Sequence, residues 1–452
     1  MTESIDRPSE EEGQDGKLRG AIYRSASWLV AGSLSQRLIR LTSNLILTRV
    51  LFPEDFGVAA LVFSWVQGLL LCSDLGVIRG IIQHPEGGSK EYLGTAFTLN
   101  LMRSLLLCLI GFLIAPLMAA FYEMPDLRWM LPVASLTVMI KSFNSPRAVL
   151  LIRDLELRKN EGMNFATALA GILFTLTLAI IWGNAWALIV GGLVRDLFRC
   201  VLSYLICPPH GVRPTWNRAV VKDLLDFGRW IVVSSFFAFL AMQADRLIAA
   251  KFVSPVVLGH LSIALLYIGI IRGLIAQASH KILMPVFSKT EGNAPQRLRP
   301  RLRRARILIL GSILPLLFGM AFFGQELIGF LYEDRWINVG FFLQCAAVGF
   351  VPSILLTGLG VVLLSTGDSK GNAVVTGVEV SAQVLLMLVG VLTNGLPGML
   401  IARGLSPIFS YPFLVMRLRR RGLWMPVFDL SVFVLSSLIL GVGFYLRSTL
   451  SS

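Results

Sequence analysis

Nine basic side chains interrupt stretches of the sequence that are otherwise apolar: Arg37, Arg40, Arg103, Lys141, Arg147, Arg195, Arg246, Arg272 and Arg403. A charge at the centre of a membrane span costs roughly 2.5–3.5 kcal/mol on an insertion scale, so nine facing lipid would cost more than helix packing offsets. Most of them must therefore face a hydrated interior. Guanidinium groups match the oxygens of a phosphate, which predicts binding of a phosphate-bearing anion.

Seven of the nine are predicted to bind the substrate: Arg37, Arg40, Arg103, Lys141, Arg246, Arg272 and Arg403. Arg147 and Arg195 lie near the ends of their apolar stretches. There, a long side chain reaches the interface or pairs locally, as Arg195 does if it meets Asp196. In the first stretch Ser33, Arg37, Arg40, Asn44 and Thr48 follow the spacing of one helix face, which predicts a polar stripe.

Two carboxylates at comparable depth, Asp245 and Glu379, are predicted to couple transport to an ion. A buried carboxylate favours its protonated form and can therefore carry a proton. The alternative is a fixed ion pair with a nearby arginine, and the two interpretations stay open. Proton or sodium coupling is the only ionic requirement expected, and no cofactor is predicted.

The elements that must position these charges are transmembrane helices. The 452 residues are 55% hydrophobic and only 15% charged, whereas soluble proteins carry about 25% charged residues. Stretches of about 20 apolar residues suffice to cross the hydrocarbon core. Twelve are predicted, with a thirteenth at the C-terminus: about 25–49, 56–79, 93–120, 128–152, 164–183, 185–207, 227–250, 256–284, 305–330, 336–366, 371–393, 396–416 and 427–446. The predicted fold class is all-α.

The loop charges predict the orientation. With the N-terminus in the cytoplasm, most basic residues, including Arg199 and the cluster at 297–306, fall in cytoplasmic connections. The opposite side receives only Arg49, Arg128, Lys251, Arg335 and Arg447. Orientation and contact with anionic lipid are sufficient to explain the 297–306 cluster. Residues 1–20 are acidic and lack an apolar run, which predicts a disordered cytoplasmic tail rather than a signal peptide.

The chain also repeats itself. A shift of 202 residues places Trp28 over Trp230, Pro53 over Pro255 and Gly57 over Gly259. Six predicted spans separate the copies, so both run in the same direction, as in a parallel transporter repeat. The predicted organisation is the tail at 1–20, a six-helix lobe at 21–222, a second at 223–423 and a C-terminal helix at 424–452.

Several function classes lack their motifs. The sequence contains no GxxxxGK[ST] loop for ATP, no Asp-x-Asp and no metal-binding spacing among its four histidines. Its five cysteines lie in or beside apolar stretches, and neither disulfides nor a metal are predicted. The net charge of +14 follows the loop-charge rule, so nucleic acid is not expected as a partner.

Residues 47–83 carry a family resemblance. Their sequence, LTRVLFPEDFGVAALVFSWVQGLLLCSDLGVIRGIIQ, resembles the opening of the polysaccharide transporter family. That family comprises the oligosaccharide flippases of the multidrug/oligosaccharidyl-lipid/polysaccharide superfamily. The matching features are Arg49, Pro53 to Gly57, Asp74 to Gly76, and Ile82 with Gln83. Similarity extends over about residues 20–420, and Asp245 falls where the family commonly has an aspartate.

The resemblance implies a transporter of the bacterial inner membrane, with two helical lobes around a cationic cavity. Its substrate would be an undecaprenyl-diphosphate-linked oligosaccharide, flipped from the inner to the outer leaflet by alternating access. The implied partners are that lipid-linked oligosaccharide, membrane lipids, and the polymerase and export machinery of a surface polysaccharide: exopolysaccharide, capsule or O-antigen. Two alternatives stay open, a drug/cation antiporter of the same superfamily and a membrane-embedded polysaccharide polymerase or ligase.

Overall fold

The chain is helical in every segment that the structure describes. A computed structural model describes residues 32, 35–73, 75–154, 156–209, 211–279, 283, 295–356, 358–366 and 368–451. Trp28, Ser33, Asp74 and the predicted tail at 1–20 lie outside these residues. A helical backbone satisfies its own hydrogen bonds, which a chain crossing lipid requires.

Sixteen helices follow one another along the described ranges. The first eight are α1 (35–50), α2 (Pro53–Cys72), α3 (Val77–Gln83), α4 (Lys90–Tyr122), α5 (Leu127–Ser142), α6 (Leu150–Arg153), α7 (Leu157–Trp182) and α8 (Ala185–Ile206). The second eight are α9 (Arg218–Phe252), α10 (Pro255–Ala278), α11 (Pro295–Leu331), α12 (Asn338–Phe350), α13 (Leu359–Ser365), α14 (Ser369–Arg403), α15 (Ser406–Arg420) and α16 (Pro426–Ser451).

Local sequence explains where several helices begin. The hydroxyls of Ser89 and Ser254 and the amide oxygen of Asn184 accept hydrogen bonds from backbone N–H groups in the first turns of α4, α10 and α8. Such caps satisfy donors that have no partner within a helix. Helix starts are therefore set by polar residues at the edges of apolar runs.

Proline and glycine explain where the structure departs from three of the predicted span boundaries. The predicted span at 128–152 ends early, at Ser142, and continues as a 3₁₀ turn over Pro146–Val149. The one at 336–366 breaks after Phe350. The backbone then passes through Gly358 at φ +78°, a left-handed conformation that glycine adopts without strain. The predicted gap at 394–395 is a kink inside α14, with Gly395 at φ +63°. The helix continues beyond this kink and carries Arg403 in its last turn.

The protein is a multi-pass membrane protein. Eight helical stretches within the described residues are long and apolar enough to cross a membrane, including Pro426–Arg447 in the C-terminal helix. Large apolar side chains point outwards, among them Phe330 at 88% exposure and Val427 at 80%. Such surfaces suit lipid as the surrounding solvent, and the all-α membrane fold predicted from composition is confirmed.

Contacts among the residues divide the chain into two compact units. The first unit comprises residues 1–50 and 65–233, and the second comprises 51–64 and 234–452. Within the second unit the starts of α2 and α10 pack against each other through their glycines. A Cβ on Gly57 would overlap the carbonyl of Pro255, and a Cβ on Gly259 would overlap that of Pro53. These four residues are the two pairs that the 202-residue shift matches, Pro53 with Pro255 and Gly57 with Gly259. The two-lobe repeat itself stays a prediction.

Candidate functional site

The first unit contains a cavity lined by three basic side chains. Its volume is about 360 Å³, and its wall includes Arg103 of α4, Lys141 of α5 and Arg199 of α8. This volume is within the range of ligand pockets, about 300–1,000 Å³. Asn100 and Asn144 add amide groups to the wall. The cavity therefore combines positive charge with hydrogen-bond donors, as an anion site requires.

Lys141 stands opposite one buried carboxylate. Its Nζ lies 3.6 Å from Oδ2 of Asp196, a residue whose side chain is only 4% exposed. The other oxygen of Asp196 accepts a hydrogen bond of 3.2 Å from Nε of Arg195. One negative charge is thus shared by two cations, and it leaves positive charge uncompensated at this end of α5.

Arg199 is tied into an amide network. Its Nη1 donates to Oδ1 of Asn164 at 2.5 Å, and the amide of Asn164 donates to the buried Glu161 at 3.2 Å. Gln36 on α1 also donates to Glu161, at 3.2 Å. The loop-charge count predicts Arg199 in a cytoplasmic connection. In the structure it lies inside α8, four residues along the helix from Arg195, and lines the cavity.

Arg37 and Arg40 lie on α1, beside the same group of charges. Arg195 and Arg37 lie close enough to Arg40 for their positive charges to repel its guanidinium group. Arg37 has a buried Nη1 without a hydrogen-bond partner in the described segments. Of the predicted stripe, Asn44 donates to the carbonyl of Arg40, and Thr48 donates to its own helix in the same way. The arginines of the stripe are therefore its available polar groups.

The three predicted binding residues of the second unit, Arg246, Arg272 and Arg403, are held by groups of the protein itself. Arg403 forms an ion pair with Asp245, and the two side chains are 11% and 3% exposed. Of the two readings of Asp245, the geometry corresponds to the fixed ion pair. Arg246 donates to Oε1 of Gln243 at 3.0 Å, and that oxygen also accepts from the hydroxyl of Ser64 at 2.9 Å.

Three donors converge on one backbone carbonyl in α9. The oxygen of Ala241 accepts from Arg403 at 3.2 Å, and from Arg272 and Gln383 at 3.5 Å each. The guanidinium of Arg272 also lies over the ring of Phe350, 5.4 Å from its centroid. Arg272 and Arg403 share a pocket of only about 10 Å³. A pocket of this size holds about one water molecule, which leaves no room for a ligand.

Glu379 lies one turn before Gln383 on α14 and is half-buried. No hydrogen bond or ion pair joins its side chain to any residue that the structure describes. Of the two predicted coupling carboxylates, only Glu379 is therefore without a fixed cation.

The role of Arg306 does not follow from the basic cluster at 297–306 to which it belongs. Its side chain is 1% exposed. Its Nη1 lies 2.6 Å from Oδ1 of Asp429 on α16, and the hydroxyl of Tyr411 donates to the other oxygen at 2.8 Å. A partner 123 residues away cannot be recognised from local spacing. Arg306 is a structural residue that attaches the C-terminal helix.

A family model described as "Polysaccharide biosynthesis protein" matches residues 46–340, more than half of the chain. Among curated proteins, the chain is 22% identical to the succinoglycan biosynthesis transport protein ExoT of Rhizobium meliloti, covering 82% of this chain and 78% of that protein. It is 23% identical to the lipopolysaccharide biosynthesis protein WzxC of Escherichia coli, covering 75% and 68%.

Two solved structures share the fold. The lipid II flippase MurJ in an inward closed conformation aligns with a TM-score of 0.74 at 11% identity, over 92% of this chain and 93% of that one. An inward-facing multidrug resistance transporter of the MATE family aligns with a TM-score of 0.64 at 16% identity, over 85% and 95%. These likenesses show that the chain shares the fold of these two proteins. The family match over residues 46–340 shows that the chain belongs to the polysaccharide biosynthesis protein family.

Proposed function

We propose that this protein is a flippase for the lipid-linked oligosaccharide precursor of a surface polysaccharide. The substrate would be an undecaprenyl-diphosphate-linked oligosaccharide, moved from the inner to the outer leaflet of a bacterial inner membrane. The cavity lined by Arg103, Lys141 and Arg199 is the observation that carries the proposal. The names of the relatives ExoT and WzxC, both in polysaccharide biosynthesis, support it.

The proposed mechanism follows from the charges of the first unit. The diphosphate binds in the cavity, where basic side chains replace water as its hydrogen-bond donors, while the polyprenyl chain stays in lipid. Charge-assisted hydrogen bonds of this kind contribute about 1.5–3 kcal/mol each. Alternating access then exposes the site to the outer leaflet. Orientation with the N-terminus in the cytoplasm, as the loop charges predict, places the basic face at the leaflet where the precursor is made.

The same cavity argues against the two alternatives. A drug/cation antiporter needs negative charge to hold its cargo, whereas Arg103, Lys141 and Arg199 would repel it. A polymerase or ligase would have to activate a sugar bond, and the described residues of the cavity wall offer amides and cations but no carboxylate. These groups therefore suit transport of an anion better than catalysis.

The test is transport in vesicles containing the purified full-length protein. Lipid-linked oligosaccharide with a fluorescent label is added to one leaflet, and its appearance in the other is followed by quenching. We expect flipping by the wild type and about a 100-fold loss in Arg103→Gln/Lys141→Gln, since each lost contact accounts for about tenfold.

A matched control replaces two exposed arginines outside the cavity, Arg419→Gln/Arg420→Gln, and should flip at the wild-type rate. Equal flipping by the cavity variant and the control would overturn the cationic-site proposal. Transport of a cationic dye instead of the labelled lipid would favour the antiporter.

A further inference from the structure

A second basic cavity lies in the second unit, where the first turns of α11 and α16 meet. Its volume is about 710 Å³, and three arginines of α11 line it: Arg299, Arg303 and Arg304. The opposite wall comes from the start of α16, with Pro426, Val427 and Phe428. The cavity is therefore positively charged on one side and apolar on the other.

Among the residues that the structure describes, no carboxylate neutralises the charge of this cavity. Arg299, Arg303 and Arg304 are all exposed, and none forms an ion pair with a carboxylate in the described part of the chain. Asp429 on α16 lies next to the wall, but it is buried and bound by Arg306 and Tyr411. Three guanidinium groups thus stand together without a counter-charge from the described residues, which favours binding of an anion.

The apolar side of the cavity is open to the surroundings. Ile307 and Val427 line it and are 48% and 80% exposed, and Leu430 on the next turn of α16 is 63% exposed. Both helices are long and apolar enough to cross a membrane from this point, at Leu298–Leu331 and Pro426–Arg447. The arginines therefore lie at the level where lipid headgroups begin, with the apolar wall directed along the acyl chains.

We propose that this cavity binds an anionic phospholipid of the leaflet on the basic side of the protein. Its phosphate would accept hydrogen bonds from the three arginines, because guanidinium forks fit phosphate oxygens. Its acyl chains would cover Ile307, Val427 and Leu430. The lipid would then bridge α11 and α16 next to the buried Arg306–Asp429 pair, and so stabilise the attachment of the C-terminal helix. This site is independent of the proposed transport activity.

The experiment measures lipid binding to the full-length protein in a neutral detergent. Phosphatidylglycerol is titrated while thermal unfolding is recorded, and the lipid retained is counted by native mass spectrometry. Phosphatidylcholine, inorganic phosphate and undecaprenyl phosphate are titrated in parallel. We expect phosphatidylglycerol alone to raise the melting temperature of the wild type. In Arg299→Gln/Arg303→Gln/Arg304→Gln its affinity should fall roughly 100-fold, the combined contribution of three arginines at an anionic lipid surface.

The matched control removes three positive charges elsewhere in the second unit, Lys370→Gln/Arg419→Gln/Arg420→Gln, and should keep the wild-type affinity. Equal loss in both triple variants would overturn the proposal, because net charge alone would then explain the binding. Equal effects of phosphatidylglycerol and phosphatidylcholine would show that the cavity binds lipid through its apolar wall alone, which would overturn the proposal. A stronger response to inorganic phosphate would indicate that the cavity binds a soluble anion. A stronger response to undecaprenyl phosphate would indicate a substrate site. Either result would overturn the phospholipid assignment. A wild type that binds none of these ligands would also refute it.

Discussion

The two units use their intramembrane cations differently. In the first unit Lys141 and Arg195 share the single carboxylate of Asp196, and the cavity beside them measures about 360 Å³. In the second unit Arg403 has Asp245 as its own partner, and the pocket that it shares with Arg272 measures about 10 Å³. Basic residues that look alike in sequence therefore divide into those beside a cavity large enough for a ligand and those without such a cavity.

This difference teaches how to interpret a charge inside a membrane protein. Burying a cation within the membrane costs free energy, and this cost is offset either by a hydrated cavity or by a fixed partner. Only a cation that faces a hydrated cavity can exchange water for a substrate. Of the seven basic residues predicted to bind the substrate, we therefore propose that only those of the first unit do so.

The largest expected effect comes from breaking the fixed pair of the second unit. Arg403→Gln leaves Asp245 buried without its cation, which should lower the free energy of unfolding by about 3–5 kcal/mol. Thermal unfolding in detergent measures the loss. The double variant Asp245→Asn/Arg403→Gln removes both charges and should recover most of the stability. If Arg403→Gln is as stable as the wild type, the pair is not structural and the comparison between the units fails.

A smaller effect, on transport rather than stability, is expected in the first unit. Lys141→Gln should reduce flipping in the vesicle assay about tenfold, because one charge-assisted contact to the substrate is lost. Thermal unfolding should barely change, since Lys141 is 35% exposed and Asp196 keeps Arg195. Arg246→Gln is the matched change in the second unit and should flip at more than a tenth of the wild-type rate. The reverse order of the two variants would contradict our assignment of the site.

Water access sharpens the comparison without requiring a transport assay. In a variant whose five native cysteines are replaced, Arg40→Cys and Lys141→Cys should react with a membrane-impermeant maleimide. Arg272→Cys should react at least tenfold more slowly, because its pocket admits about one water molecule. Labelling is measured by gel shift in open membrane fragments, with an exposed loop cysteine, Arg213→Cys, as the control. Fast labelling at 272 would show that the second unit also opens to water.

How far the sequence predicts this molecule depends on how local each feature is. Composition and apolar length predict the membrane helices, because both are properties of contiguous residues. The break near 394–395 was also anticipated, although the chain kinks there at Gly395 instead of ending a helix. The partners of buried charges are not local. Arg306 meets Asp429 across 123 residues, and Arg199 meets Asn164 across 35. No window of sequence shows those contacts, so both residues were assigned to loops.

The smallest effect is expected at Glu379, and it separates the two candidate coupling groups. Asp245 is held by Arg403, and exchanging a proton there would leave a buried cation without its partner, at a cost of several kcal/mol. Glu379 has no ion pair in the described residues, so it can change charge without that cost. Glu379→Gln should therefore leave stability and the flipping rate in symmetrical vesicles within a few-fold of the wild type. The wild type should flip faster when a pH gradient is imposed, and the variant should not respond. Glu379→Asp, which keeps a carboxylate, is the control and should respond. A gradient response that survives in Glu379→Gln would exclude this residue and leave Asp245, or coupling to another ion, to be tested in the same vesicles.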